Sequence, residues 1–290
     1  MATSSNAVIG WPRWTSYASF TEDGGSTDPI YVPDNLGNDD LSFVWRSPDL
    51  STDNTKFLAV FSRPSPIRLF ALVGHNLTRN ATFRLKLYSD TGATAQIYDS
   101  GDTAVWPRVF AFGTLPWNDN RCWTGQFNDL EISGLRWNRP LWLDKLYLAR
   151  SARCAISDPN NPAGYVECGL AEFAQGWQVS INFSYGAQYG WKARTQMVQG
   201  IGGRKQFERR DKPRTLQGVI QYLPRDETMA QGFELQRQAD INEPFYWLPD
   251  PTSTTNLIRE SYLARNAELG MLSYATFGRD SMPLSLEEAL

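Results

Sequence analysis

Residues 81–88 read ATFRLKLY, and this stretch restricts the fold more than any other. Ala81, Phe83, Leu85 and Leu87 alternate with Thr82, Arg84, Lys86 and Tyr88. Side chains of a strand point to opposite faces in turn, so a period of two marks a half-buried antiparallel strand. A second alternation covers 177–185. There Trp177, Val179, Ile181, Phe183 and Tyr185 alternate with Gln178, Ser180, Asn182 and Ser184. A chain with such patterns in both halves is expected to be mainly β and antiparallel.

Shorter apolar runs bounded by turn residues add strand candidates, KFLAVFS, IRLFALVG, RTLQGVIQYL, PFYWLPD, LSYATFG and MPLSLEEAL, while VWPRVFAF and LWLDKLYLAR are dense in apolar residues. One segment breaks the rule. In DETMAQGFELQRQADI, Asp226 can cap a helix, and Met229, Phe233 and Gln236 or Arg237 recur at helical spacing, which predicts one short helix. Residues 155–169, AISDPNNPAGYVECG, are rich in Pro, Gly and Asn, and a domain boundary is expected there. The expected domains are 1–160 and 161–290. With 290 residues, each can bury a core of its own.

The chain has one histidine, His75, and any Ser/His/Asp or Cys/His site would need it. It sits in GHNLTRN between two strand patterns, among residues that tolerate positive φ and bond their own backbone. A structural turn role is expected, and no catalytic residue is assigned. Cys122, Cys154 and Cys168 show no paired spacing. Reduced thiols are expected, with a Cys154–Cys168 bridge as the alternative. These cysteines and one histidine do not make a convincing zinc set. QGIGGRKQ lacks the GKS or GKT ending of a phosphate loop and reads as a hairpin turn. No enzyme, metal or cofactor is expected, although a carboxylate pair brought together in space is invisible to sequence.

The start, MATSSNAVIGWPRW, lacks the basic and apolar regions of a signal peptide, and the longest apolar run, FLAVF, cannot span a bilayer. Synthesis in a cytoplasm is expected, and the sequons at Asn76, Asn80 and Asn182 read as chance matches.

Two surface features remain. Residues 191–214 hold eight Lys or Arg against two acids. The run could meet phosphates. Alternation inside strand-like sequence and the net charge of −3 favour acidic groups on a neighbouring subunit instead. The candidate contact residues are Arg204, Lys205, Arg209 and Arg210. The second feature is aromatic content. Trp, Tyr and Phe make up 13% of the chain, which suits strands, interfaces and sugar-stacking surfaces. Trp106, Trp117 and Trp123 flank a long connection and form a candidate glycan platform. Core packing or loop anchoring is the alternative.

LFALVGHNLTRNATFRLKLYSDTG resembles a strand–turn–strand of the galactose-binding-like jelly-roll found in bacteriophage virion proteins. RTLQGVIQYLPRDETMAQGFELQRQADINEPFYWLPDP, with the closing MPLSLEEAL, resembles distal tail proteins of long-tailed phages, although the domain order is reversed. The resemblance implies an N-terminal jelly-roll sandwich and a C-terminal ring-forming β domain with a short helix. It implies a closed ring, commonly a hexamer, at the virion tail tip. The implied partners are the tail tube, tape measure and baseplate hub proteins. Attachment to host surface glycans is the alternative function. Nucleic acid is expected only as passing genome, and membrane insertion is not expected.

Overall fold

A computed structural model describes residues 4–26, 28–128, 131, 137–199 and 202–290. Gly200 and Ile201 of the basic run, and much of 129–136 in the long connection, lie outside the described residues. The fold is mainly β with antiparallel sheets, as the alternation predicts. It forms two compact units. One is Met1–Gln178 with Tyr246–Tyr262, and the other is Val179–Phe245 with Leu263–Leu290.

In chain order the first unit carries β1 (Val8–Gly10), β2 (Ala18–Glu22), β3 (Trp45–Arg46), β4 (Lys56–Val73), β5 (Thr82–Tyr88) and β6 (Gln96–Asp99). It continues with β7 (Thr103–Ala104), β8 (Asn138–Ser157), β9 (Glu167–Cys168), β10 (Leu170–Ala174) and β11 (Trp177–Gln178). The second unit carries β12 (Gln188–Trp191), β13 (Gln196–Gln199), β14 (Lys205–Glu208) and β15 (Arg214–Pro224). The chain then returns to the first unit with β16 (Phe245–Leu248). It ends in the second with β17 (Tyr262–Asn266), β18 (Ser273–Thr276) and β19 (Arg279–Glu288).

KFLAVFS and IRLFALVG, two patterns in the sequence, are one strand, β4. It pairs with β8 along its length, and the register slips between Val60 and Ser65 and again between Ile67 and Leu69. Bulges bend strands. Here they fold the sheet on itself. The first half of β4 lies with β2, the end of β8 and β5, whereas its second half lies with β10 and the start of β8. The two halves face each other across a core. Phe70 of the second half sits 6.0 Å from Phe83 of β5, and Phe61 of the first half sits 5.3 Å from Phe173 of β10. Each such fully buried ring contributes roughly 2–3 kcal/mol.

The opposite face of the second layer is covered by β1, which pairs with β11 and with β16. Gly10 permits this. A Cβ there would lie 2.9 Å from Leu69 Cδ2 and 2.9 Å from Tyr246 Cβ. Ile258, from the returning segment, belongs to the main core.

The Pro/Gly/Asn-rich stretch at 155–169 is therefore not a domain boundary. The strands on either side of it, β8 and β10, both hydrogen-bond to β4, so the stretch is a loop inside one sandwich. The units divide at 178/179, inside the WQVSINFSY alternation. Only Trp177–Gln178 of that pattern is strand. Beyond it, Ser180 N–H bonds the Glu227 carboxylate and Ser184 N–H bonds the Val219 carbonyl, and these bonds replace a ladder. VWPRVFAF forms no strand either.

In the second unit β15 lies between β12 and β19. β17 and β18 flank the far side of β19, one at each end. Asp280, Met282, Leu284, Leu286 and Glu288 alternate as the buried face of β19. The predicted helix is present as Arg225–Glu227, a π-helical stretch Thr228–Phe233, and Glu234–Ala239. Its buried stripe is Thr228, Gly232, Leu235 and Ala239, while Met229 and Phe233 face solvent. Asp226 does not cap it; it lies in the first turn, where an acid favours the helix dipole.

Candidate functional site

Three loops meet at the end of the sandwich away from the β4 bend. One joins β4 to β5 (74–81), one is the described part of the connection from β7 to β8 (105–128 and 137), and one follows β8 (158–166). Their side chains hold each other. Thr78 donates its N–H and hydroxyl to Asp158, at 2.8 and 2.5 Å. Asn161 donates to the same carboxylate at 3.0 Å, and Asn76 donates to the Tyr165 carbonyl at 3.0 Å. Gln126 donates to the carbonyls of Arg79 and Trp106, at 3.1 and 2.9 Å. Gly125, before it, has φ 65°, and a Cβ there would lie 2.7 Å from the Phe110 carbonyl oxygen, so the turn requires glycine.

His75 is 3% exposed in this rim. Its Nδ1 accepts the Leu77 N–H at 3.4 Å, and its ring meets Trp106 edge-on at 6.2 Å. Burial, reinforced by Arg139, pushes its pKa from 6.5 down to about 3. The ring is therefore neutral at pH 7. An unfolded chain takes up a proton near 6.5, and the folded one resists until about 3. Stability held by His75 is thus complete above pH 6.5 and is lost as pH falls toward 3, by up to about 1.4 kcal/mol per pH unit. Urea midpoints between pH 6.5 and 4.5 should fall less steeply for His75→Asn than for the wild type. Equal slopes would show that the ring does not resist protonation.

Between the loops lies a cleft of about 470 Å³. Trp106 and Trp137 line it, with ring centroids 4.6 Å apart and planes at 80°. Trp106 also donates its indole N–H to the Leu77 carbonyl at 3.1 Å and is only 4% exposed. The expected three-tryptophan platform is accordingly not formed. Trp106 belongs to the core, because its ring fills the space under the 74–81 loop. Trp117 and Trp123 are 80% and 65% exposed and meet each other edge-on at 5.7 Å.

The cleft wall also holds Asn80 and Asn160, both exposed, which make no side-chain hydrogen bond among the described residues. Arg79 is the sole ionisable side chain of the lining among the described residues. Sequence reading missed all three, although GHNLTRN and DPNNPAG are amide-rich loops. The signal that could have found them, two such loops meeting in space, depends on the bent β4–β8 pairing.

The basic run is divided. Lys192 and Arg194 bond Glu287 at 2.7 and 2.5 Å, and Arg214 is buried against Glu288. Within the candidate set, Arg210 bonds Glu208 at 2.8 Å. Arg204, Lys205 and Arg209 are exposed and form no ion pair among the described residues. The three cysteines are buried free thiols, and burial raises the pKa of Cys168 to about 12. Among the described residues there is no group of three or more His, Cys, Asp or Glu able to hold a metal ion, and no helix long and apolar enough to cross a membrane.

No family model matches this chain, and no curated protein matches it. Solved structures do show similarity. The family 32 carbohydrate-binding module of Clostridium perfringens NanJ, in complex with galactose, aligns at 5% identity and a TM-score of 0.37. That alignment covers 58% of this chain and 98% of the module. The family 32 module of Streptococcus pneumoniae EndoD aligns at 13% identity and a TM-score of 0.36, over 56% and 99%. The family 32 module of AlyQ, in complex with 4,5-unsaturated mannuronic acid, aligns at 14% identity and a TM-score of 0.33, over 53% and 92%. At these scores the likenesses carry no functional argument.

Proposed function

We propose that this chain is a carbohydrate-binding protein and that the sugar occupies the cleft between the three loops of the first unit. The observation that carries this is the division of labour among the cleft's polar groups. Asn76, Thr78 and Gln126 hold the loops in place, while Asn80 and Asn160 offer unused amides in a cleft that the partly exposed Trp137 also lines. An amide both donates and accepts, which matches a sugar hydroxyl, and an aromatic surface suits the apolar face of a pyranose. Mutual bonding of the loops keeps the site preformed, which reduces the ordering cost of binding. The reading is of binding rather than turnover. Among the described residues the lining has no carboxylate to serve as the acid or base of glycoside hydrolysis.

Calorimetry with neutral and acidic monosaccharides and with bacterial surface polysaccharide tests this. The double variant Asn80→Ala/Asn160→Ala should bind about 10- to 30-fold more weakly, since two hydrogen bonds contribute about 1 kcal/mol each. No binding of any of these by the wild type at millimolar sugar would sink the reading.

A second reading is the ring adaptor of a phage tail tip, lodged in the virion between tube and baseplate hub. What favours it is the surface of the second unit. Tyr185, Met271 and Phe277 are almost wholly exposed, and β13 and β14 pair with every residue of both strands exposed. A six-membered ring would have a native mass of about 197 kDa, six times 32.8 kDa.

A further inference from the structure

The first unit carries a second cleft beside the one between the loops. A single helical turn, Arg121–Thr124, belongs to both. Its last residue, Thr124, lines the first cleft with Gln126. Its beginning lines the other, a hollow of about 480 Å³ walled by Asn118, Asn120, Arg121 and Asn128. One helical turn rises about 5.4 Å, close to the length of one pyranose ring.

This wall is held by its own side chains. Arg121 bonds Asp119 at 2.6 Å and Glu131 at 2.5 Å, and Glu131 also accepts the Asn128 N–H at 2.9 Å. The Gly125 N–H closes the turn on the Arg121 carbonyl at 2.7 Å, and Cys122 of the turn is buried. The charges of the wall thus neutralise one another. What it turns to solvent is uncharged: Asn118 and Asn120 are exposed and make no side-chain hydrogen bond among the described residues.

Trp117 and Trp123 bracket these amides in sequence, and both are largely exposed. Their rings meet edge-on, with centroids 5.7 Å apart and planes at 80°. Such a pair makes a corner in which one indole offers its face and the other its edge. An apolar patch rimmed by polar groups marks a binding surface. The chemistry of the rim selects what covers it. A phosphate or a carboxylate needs a cation, and Arg121 is already bonded to two acids. An apolar protein surface would leave the two amides unmet. A sugar ring satisfies both, since its hydroxyls pair with amides and its C–H face lies on an indole.

We propose that the ligand is an uncharged oligosaccharide rather than a single sugar, held at two subsites. One ring lies in the first cleft at Asn80 and Asn160. The chain continues past the 121–124 turn, and a further ring lies in the corner of Trp117 and Trp123 beside Asn118 and Asn120. The inference rests on the sugar-binding reading of the first cleft and adds the length of the ligand. Both subsites are fixed on one segment, so the second ring meets its site at high effective concentration once the first is held.

Calorimetry of the full chain tests this with glucose, galactose and N-acetylglucosamine, each beside its linear tetramer. For the sugar that binds, the tetramer should bind the wild type about 10-fold more tightly than the monomer, a gain of about 1.4 kcal/mol. Trp117→Ala/Trp123→Ala should lose that gain and bind monomer and tetramer alike. Its monomer affinity should match the wild type, which also shows that the variant is folded. A tetramer no tighter than the monomer on the wild type overturns the inference and leaves the first cleft standing. So does an alanine variant that keeps the gain; if that variant is a monomer where the wild type self-associates, the tryptophans belong to a protein contact. An alanine variant that loses the monomer as well overturns the division into two subsites. No binding of any of these sugars overturns the inference too, and acidic sugars then decide the first cleft alone.

Discussion

Glu172→Ala should lower the melting temperature of the first unit by on the order of 10 °C, because it strands a buried cation, at a cost of about 3–5 kcal/mol. Glu172 is 0% exposed in β10 and accepts Arg13 Nε at 2.9 and 2.8 Å and the Thr15 hydroxyl at 3.0 Å. Thr15 in turn accepts the Phe173 N–H at 2.8 Å, and Trp14 N–H reaches the Phe173 carbonyl at 2.7 Å. Burial opposes the Arg13 charge, but Glu172 and Asp39 outweigh it and hold the guanidinium above its ordinary range. With Glu172 gone, Arg13 keeps only Asp39, at 2.5 Å and partly exposed. Glu172→Gln keeps the shape and the Thr15 bond and should lose less. Differential scanning calorimetry distinguishes the cases. An alanine variant that melts with the wild type would mean that the pair contributes nothing.

A loss of similar size is expected in the second unit from Glu288→Ala. Its carboxylate accepts the Arg214 backbone N–H at 3.0 Å and Nε at 2.9 Å, and also bonds Nη2. Both side chains are nearly buried. Removing the acid takes these bonds from the buried guanidinium and the backbone where β15 begins, at a cost of about 3–5 kcal/mol. Hydrogen exchange followed by mass spectrometry should show β15 and β19 opening first, with protection in β4 and β8 unchanged. Uniform loss of protection across the chain would contradict a local role.

Both acids carry a signal in the sequence that is easier to read afterwards. Glu172 is the one charge in LAEFA, and Arg13 stands between aromatic residues in WPRW. What could not be read is that residues 159 positions apart are partners. Local patterns report the environment of a strand face, and so β5, β15, β16 and β19 lie where the alternation and the bounded apolar runs place them. The helix was legible as an element but not in its orientation. The buried stripe is set by what β15 and β19 present, and it passes through Gly232 rather than Met229. Turn-rich composition misled at 155–169, because a loop within one sandwich and a linker between domains have the same residues. The cleft was hidden for the same reason as the bend in β4. Both depend on where the register slips, and that is settled by packing between strands.

The return of 246–262 to the first unit has a consequence for how the protein is made. A ribosome delivers β1 early, yet its neighbour β16 emerges only after the whole 179–245 stretch, itself an incomplete unit, has been released. Until then β1 has a strand on one side only. A nascent chain stalled near residue 245 would therefore display two unfinished sheets at once, a state suited to chaperone capture. No single codon divides this gene into two pieces that could each fold.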